Sequence, residues 1–226
     1  MSKAAVVRFE PRKTPLQARS TASVRAIMQA TIQVLLKDGK SKLTTTRIAE
    51  RAGVSVGTLY QYFPNKSSLL QALLKEHLDS VALAVETACE TVHGAPLARM
   101  AEAITSAFVQ AKFRNIDASV ALYAVSNDVE GKRIARGMHA RATKAMAAIF
   151  QTAREKTITE PDVVAATLLS AMVGVSRAML EIEVTHDTMA TMEKELTVMV
   201  RAYLEASAEN IPAMPVPALP HRKLIL

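Results

Sequence analysis

The stretch from Thr44 to Lys66, TTTRIAERAGVSVGTLYQYFPNK, admits few local structures. Ile48 and Ala49 oppose Arg47, Glu50 and Arg51, which is the amphipathic spacing of a short helix over Thr45 to Arg51. Thr44 precedes it as an N-cap, a position where a hydroxyl accepts one of the orphan backbone N–H groups. Gly53 follows it, where a left-handed residue stops a helix without steric penalty. Ser55 supplies a second N-cap, so Val56 to Phe63 is predicted as a second short helix. Two helices joined by a tight glycine turn make a helix-turn-helix unit.

Within the second helix Leu59 and Phe63 stand four apart and point into the domain. Ser55, Val56, Gly57, Thr58, Tyr60, Gln61 and Tyr62 are left at its N-terminus or on its outer face. Those types suit a nucleic-acid duplex. Hydroxyls meet phosphate oxygens, Gln61 suits a base edge, and Gly57 permits close backbone approach.

The run AGVSVGTLYQYFPNKSSLL resembles the signature of the TetR family of transcriptional regulators. Thr44, Ile48, Ala49, Ala52, Gly53, Val54, Ser55, Gly57, Thr58, Leu59, Tyr60, Tyr62, Phe63 and Lys66 fall where that motif has them, over roughly residues 20 to 80. The resemblance implies operator contacts from Thr44, Thr45, Thr46 and Ser55 to Tyr62, with Lys66 on a phosphate. It further implies a homodimer formed through the last two helices and a small-molecule pocket in the body. Lys40 and Leu35 depart from the aromatic residues common at their positions, and both concern packing under the first helix.

Charge agrees with a polyanion met at one end. Residues 1–66 carry 12 Lys+Arg against 3 Asp+Glu, or +9, whereas residues 67–226 carry 16 against 18, or −2. The basicity belongs to the N-terminal part alone. Aromatic content of 4% among 50% hydrophobic residues rich in Ala, Leu, Val and Met favours helices over strands. The expected fold is therefore all-α, with a three-helix head carrying the helix-turn-helix and a helical body for ligand binding and dimerisation. The single cysteine, Cys89, excludes an internal disulfide. With no signal-like segment and no long uninterrupted apolar run, a cytoplasmic location is expected.

The chain divides into a basic arm over 1–18, a DNA-binding domain over 19–66, a helical body over 67–208 and a Pro-rich tail over 209–226. The arm either reaches DNA or is a plain tail. A first helix is predicted from Thr21 to Asp38. A long helix beginning at Lys66 links the head to everything downstream, with a break near Gly94 and Pro96. Further helices are predicted over 97–114, 117–127, 131–157, 161–184 and 187–208, with Pro161 in a first turn.

The last two of these helices carry apolar seams at alternating steps of three and four. Val164, Leu168, Ala171 and Val175 form one, and Met192, Leu196, Met199 and Tyr203 the other. Such seams either form a four-helix bundle across a two-fold axis or close the protomer's own core; the resemblance implies the bundle. In the body, Met100, Phe108, Phe113, Tyr123, Met138 and Met146 are candidates to line an apolar or amphipathic effector site, with Lys112, Arg114, His139 or Arg141 as polar anchors.

Enzymatic and metal readings fare poorly. Gly53-Val54-Ser55-Val56-Gly57 matches G-x-S-x-G, but a nucleophile elbow needs a strand before its serine and here a capped helix precedes it. Cys89 and His93 lie one turn apart with Glu86 and Glu90 nearby, yet two ligands do not close a metal site. No enzyme, cofactor or metal is expected. The sequence points to a DNA-binding regulator, a dimeric repressor released from its operator by a small molecule; the alternative is an effector-independent DNA-binding or protein-interaction module using the same helix-turn-helix.

Overall fold

The computed structural model describes residues 18–126, 130–154, 156–181 and 185–210. Most of the arm over 1–18 and of the tail over 209–226 lies outside the described residues. The head comprises α1 (Ala18–Asp38), a 3-10 turn (Lys40–Lys42), α2 (Thr45–Ala52) and α3 (Val56–Tyr62). Thr44 caps α2 by accepting from the Arg47 N–H, and Gly53 ends it with φ 68°. At that left-handed angle glycine carries no Cβ penalty. Ser55 caps α3 by accepting from the Thr58 N–H. Ile27, Ala30, Val34 and Leu35 of α1 join Ile48, Ala49, Leu59 and Phe63 in one buried cluster, so α3 is braced from behind.

The body begins with α4 (Lys66–Thr91), whose first turn is fixed by a capping box between Asn65 and Ser68. It continues with α5 (Leu97–Phe113), α6 (Ile116–Val125), α7 (Gly131–Phe150), β1 (Lys156–Ile158), α8 (Pro161–Met179), α9 (His186–Ala206) and β2 (Ala208–Asn210). Helix α4 lies against α5 and α7, α8 packs on α7, α9 packs on α5, and α6 reaches α1 and α4. The buried cluster runs without a break from Ile27 in the head to Leu204 in α9.

The all-α head and body stand, with corrections at two ends. Helix α7 stops at Phe150 instead of continuing to Thr157; Lys156–Ile158 pairs antiparallel with Ala208–Asn210. The β-branched run Thr157, Ile158 and Thr159 favours a strand, and Pro161 biases the residue before it away from helix. Burial of Ile158 then fixes the pair on the core. Helix α8 ends at Met179, short of Val184, where the Leu180 N–H closes on the carbonyls of Ala178 and Arg177. By length and composition α8 could cross a membrane; here one side of it is buried against α7.

Candidate nucleic-acid interface and effector cavity

Leu59 and Phe63 are essentially inaccessible, and they anchor α3 so that its opposite face looks outward. Ser55, Gly57, Tyr60 and Gln61 are exposed there, whereas Val56, Thr58 and Tyr62 are half-buried. The Tyr60 hydroxyl sits 3.2 Å from Thr45 Oγ1, tying the exposed face of α3 to the first turn of α2. Thr44 and Thr46 are exposed beside it. Ser55 Oγ accepts from the Thr58 N–H at 3.0 Å and lies 2.8 Å from Thr58 Oγ1, so this serine is a cap following a helix and turn. That setting is not a nucleophile elbow.

Gly57 is informative because nothing inside the protomer demands it. Its φ is not in the left-handed region, and a Cβ there would meet only Ser55 Oγ at 3.6 Å, an ordinary contact. Glycine within a helix is unfavourable by roughly 0.5–1 kcal/mol relative to alanine. An exposed helix position kept bare at that cost suits a partner whose backbone comes close.

Lys66 opens α4, and its Nζ donates to the Leu43 carbonyl at 3.1 Å. An ammonium has three donors, so this bond fixes the side chain across the head while leaving two hydrogens for a phosphate. Arg47 pairs with Asp38 at 3.4 Å, and Arg51 Nε donates to Gln33 Oε1 at 2.7 Å. Both are held on the α1 side of α2.

In the body, α4, α5, α6, α7 and α8 line a cavity of about 180 Å³ that opens to solvent. Phe108, Tyr123 and Met138 line it, as does Lys112. Met100, Phe113 and Met146 do not. They are buried in the continuous core, where adaptable methionines fill gaps between helices. Of the other expected anchors, Arg114 is exposed at the end of α5 and His139 is half-buried outside the lining. Arg141 lies outside the cavity, where it bridges Glu86 at 2.6 Å and Asp79 at 3.1 Å and holds α7 to α4.

Five polar residues that the sequence reading missed also line the cavity: His77, Ser119, Ser126, Lys132 and Arg177. His77 interrupts the apolar face of α4 between Leu74 and Val81, and a histidine on such a stripe was the available signal. Burial, followed by the charge of Lys112, pushes its pKa down to about 4, so it is neutral near pH 7. Burial alone brings Lys112 down to about 8. Ser119 Oγ lies 3.4 Å from His77 Nε2 and donates to the Lys112 carbonyl at 2.5 Å. The Tyr123 hydroxyl donates to Glu181 at 2.6 Å and accepts from Arg177 Nε at 3.1 Å.

Cys89 is buried about three turns further along α4 than Leu78, and its thiol is pushed up to about 12 by burial and then by Glu86 and Glu90. A thiolate is thereby disfavoured, and His93 is exposed. Among the described residues no three His, Cys, Asp or Glu side chains gather as a metal site would require.

The eight seam residues on the last two helices differ in burial. Val164, Leu168, Met192 and Leu196 are at most 6% exposed within a single protomer and pack into its core, while Met192 and Leu196 also line an open groove with Val175, Met179 and Met199. Ala171, Met199 and Tyr203 are half-buried, and only Val175 of the eight is exposed. Beyond Val175, exposed apolar surface on these helices is added by Val163 on α8 and Val198 on α9, with Gly174 and Ala178 also exposed on α8. Periodicity gives the width of an apolar stripe but not which edge of it faces in.

Comparison with known proteins decides the family. The description "Bacterial regulatory proteins, tetR family" matches residues 27–73, and "Tetracyclin repressor-like, C-terminal domain" matches residues 96–204. The chain belongs to the TetR family. The curated relative YvkB of Bacillus subtilis (strain 168), an HTH-type transcriptional regulator, is 43% identical over 53 residues, covering 24% of this chain and 28% of YvkB. The nucleoid occlusion factor SlmA of Actinobacillus pleuropneumoniae (strain L20) is 40% identical over 58 residues, covering 24% of this chain and 29% of SlmA. The chain thus spans under a third of either relative, and those matches are the size of the head. A TetR-family regulator from Mesorhizobium loti MAFF303099 superposes with a TM-score of 0.64 at 18% identity, covering 84% of this chain and 98% of that one. At that identity the likeness is one of fold, and it extends the TetR architecture through the body.

Proposed function

We propose that this TetR-family chain is a dimeric repressor that leaves its operator when a small molecule fills the body cavity. The observation that carries this reading is the course of α4. The helix starts at Lys66, bonded to the head at the Leu43 carbonyl, and within its third to fifth turns supplies Leu74, His77, Leu78 and Val81 to the cavity wall. One rigid rod therefore touches both the DNA-facing head and the ligand space.

Thr44, Thr46, Ser55, Gly57, Tyr60, Gln61 and Lys66 face the duplex, with Thr45 positioning the Tyr60 ring. In the dimer, Val163, Val175 and Val198 meet their symmetry mates, which sets two recognition helices about 34–36 Å apart in successive major grooves. A ligand that fits better when α4 tilts favours the state whose head spacing mismatches the operator. Only such differential affinity shifts the equilibrium. By linkage, operator DNA weakens ligand binding by the same factor.

The test uses fluorescence anisotropy on a duplex that the protein selects from a randomised pool. Tyr60→Ala and Lys66→Ala should each weaken binding while leaving the dimer intact in sedimentation, and wild-type affinity should fall steeply with salt as phosphate contacts release counterions. Failure to enrich any duplex, or unchanged affinity in both variants, would remove the reading.

A further inference from the structure

We propose that the cavity takes a small carboxylic acid, with an aromatic ring or short hydrocarbon tail against its apolar walls and its carboxylate received by Lys112. The inference rests on the reading of this cavity as the effector site and names the ligand class.

Charge is the first argument. Among the described residues lining the cavity are Lys112, Lys132 and Arg177, and none is aspartate or glutamate. Lys132 is exposed to solvent, and Arg177 already engages Tyr123 and, through it, Glu181. Lys112 is different. Its side chain lines the cavity and is half-buried, and no hydrogen bond or ion pair to it is found among the described residues. A cation drawn out of water without a counter-charge carries a large desolvation penalty, which an anionic ligand removes and a neutral or cationic ligand leaves in place. Burial shows its effect on the lysine itself, whose pKa falls to about 8, so it remains largely charged near pH 7.

Hydrogen bonding is the second. His77 faces the same space and is held neutral, so one ring nitrogen carries a proton while the other does not. With the Ser119 proton given to the Lys112 carbonyl, the ring N–H rests only on the long 3.4 Å contact from Nε2 to Ser119 Oγ, for which a carboxylate oxygen is the stronger acceptor. Ser119 is occupied by the Lys112 carbonyl at 2.5 Å, which holds α6 on the end of α5 and steadies that part of the wall.

Size is the third. The cavity measures about 180 Å³; an apolar cavity of about 150 Å³ in another protein accepts a benzene ring. Leu74, Leu78, Val81, Phe108, Leu122 and Met138 supply the apolar wall here. One ring with a carboxylate, or a short aliphatic acid, matches that space.

The experiment is calorimetric titration of the full chain with benzoate, phenylacetate and hexanoate, each paired with its primary amide, repeated on Lys112→Met. At least one acid should bind once per protomer, about tenfold or more tightly than its amide, as a charge-assisted bond implies. In Lys112→Met that preference should vanish while amide binding persists. Amides that bind as well as acids, absence of binding by all three acids, or a preference that survives Lys112→Met would each overturn the proposal. Should the variant not fold, the acid-to-amide ratio in the wild type decides alone. Adding the same compounds to the protein–DNA complex separates the two claims. An amide that binds and releases DNA while acids do not sinks the acid class and leaves the repressor reading standing. An acid that binds through Lys112 without releasing DNA does the reverse.

Discussion

A lysine that folding drags into a cavity should make the protein less stable than its own chain could be, and Lys112→Met measures by how much. Its pKa falls from 10.5 to about 8 on burial. At about 1.36 kcal/mol for each pH unit, that drop corresponds to a ceiling of about 3 kcal/mol. Water at the cavity mouth screens part of the charge, so a gain of roughly 1–2 kcal/mol is the size to look for in a variant that keeps the apolar stem and removes the ammonium. The pH dependence has a definite sign. Between about 8 and 10.5 the unfolded chain keeps the proton and the folded chain has released it, so wild-type stability rises with pH through that window. Below it the penalty is fully present, and above it the penalty is gone. Urea titrations of both proteins at a series of pH values from about 7 to 11, at one protomer concentration because dimers stabilise by mass action, give the difference directly. Lys112→Met should be the more stable protein at the low end, with the gap closing toward the high end. A variant that is less stable at neutral pH, or curves that run parallel across the series, would refute the account of Lys112 as an uncompensated charge.

Three further outcomes follow from the same geometry. Gly57→Ala should raise unfolding free energy by about 0.5–1 kcal/mol and yet weaken duplex binding in anisotropy; unchanged affinity would mean that no backbone approaches there. Gly131→Ala should destabilise by about 1–3 kcal/mol in thermal unfolding, as overpacking does. A Cβ there would stand 2.1 Å from the Ser126 carbonyl oxygen and 3.1 Å from Leu74, so a variant of wild-type stability would contradict the α6–α7 junction. Val198→Glu should give a folded monomer in sedimentation, because Val198 is 56% exposed, whereas Leu168→Glu, at 2% exposed, should unfold the protomer itself; a folded, monomeric Leu168→Glu would restore the original seam.

The head was legible because its signals are local. Thr44, Gly53 and Ser55 each act on backbone within a few residues, and all three occupy the cap positions their chemistry suggests. The cavity was legible only in part because its lining comes from five helices, and no spacing within one helix reveals what another brings opposite. Phe108, Tyr123 and Met138 meet in space, but Met100 and Met146, equally apolar and on the same two helices as Phe108 and Met138, turn into the core. His77 and Arg177 were passed over for a related reason. A polar residue on an apolar stripe looks like an interruption until the space it faces is known. The strand pair escaped because its partners, Lys156–Ile158 and Ala208–Asn210, lie some fifty residues apart and neither is long enough to announce itself.

The arrangement of α4 also bears on how a small ligand could matter to DNA. Arg141 pins the helix to α7 at Asp79 and Glu86, beyond the cavity residues Leu74 and His77 as seen from Lys66. At about 1.5 Å of rise per residue, Lys66 stands about 20 Å from the Asp79 end of that clamp, and a tilt of about 5° there displaces it by nearly 2 Å. Leu74 and His77 of the cavity wall lie between pivot and tip, close to the pivot, so a shift of a fraction of an ångström where a ligand presses on them becomes several times larger at Lys66. The contacts proposed for Gln61 and Tyr60 with a duplex would hold only over a few tenths of an ångström, and two heads moving in opposite senses would double the mismatch. On the proposed reading, the clamp is what turns occupancy of so small a cavity into loss of the operator.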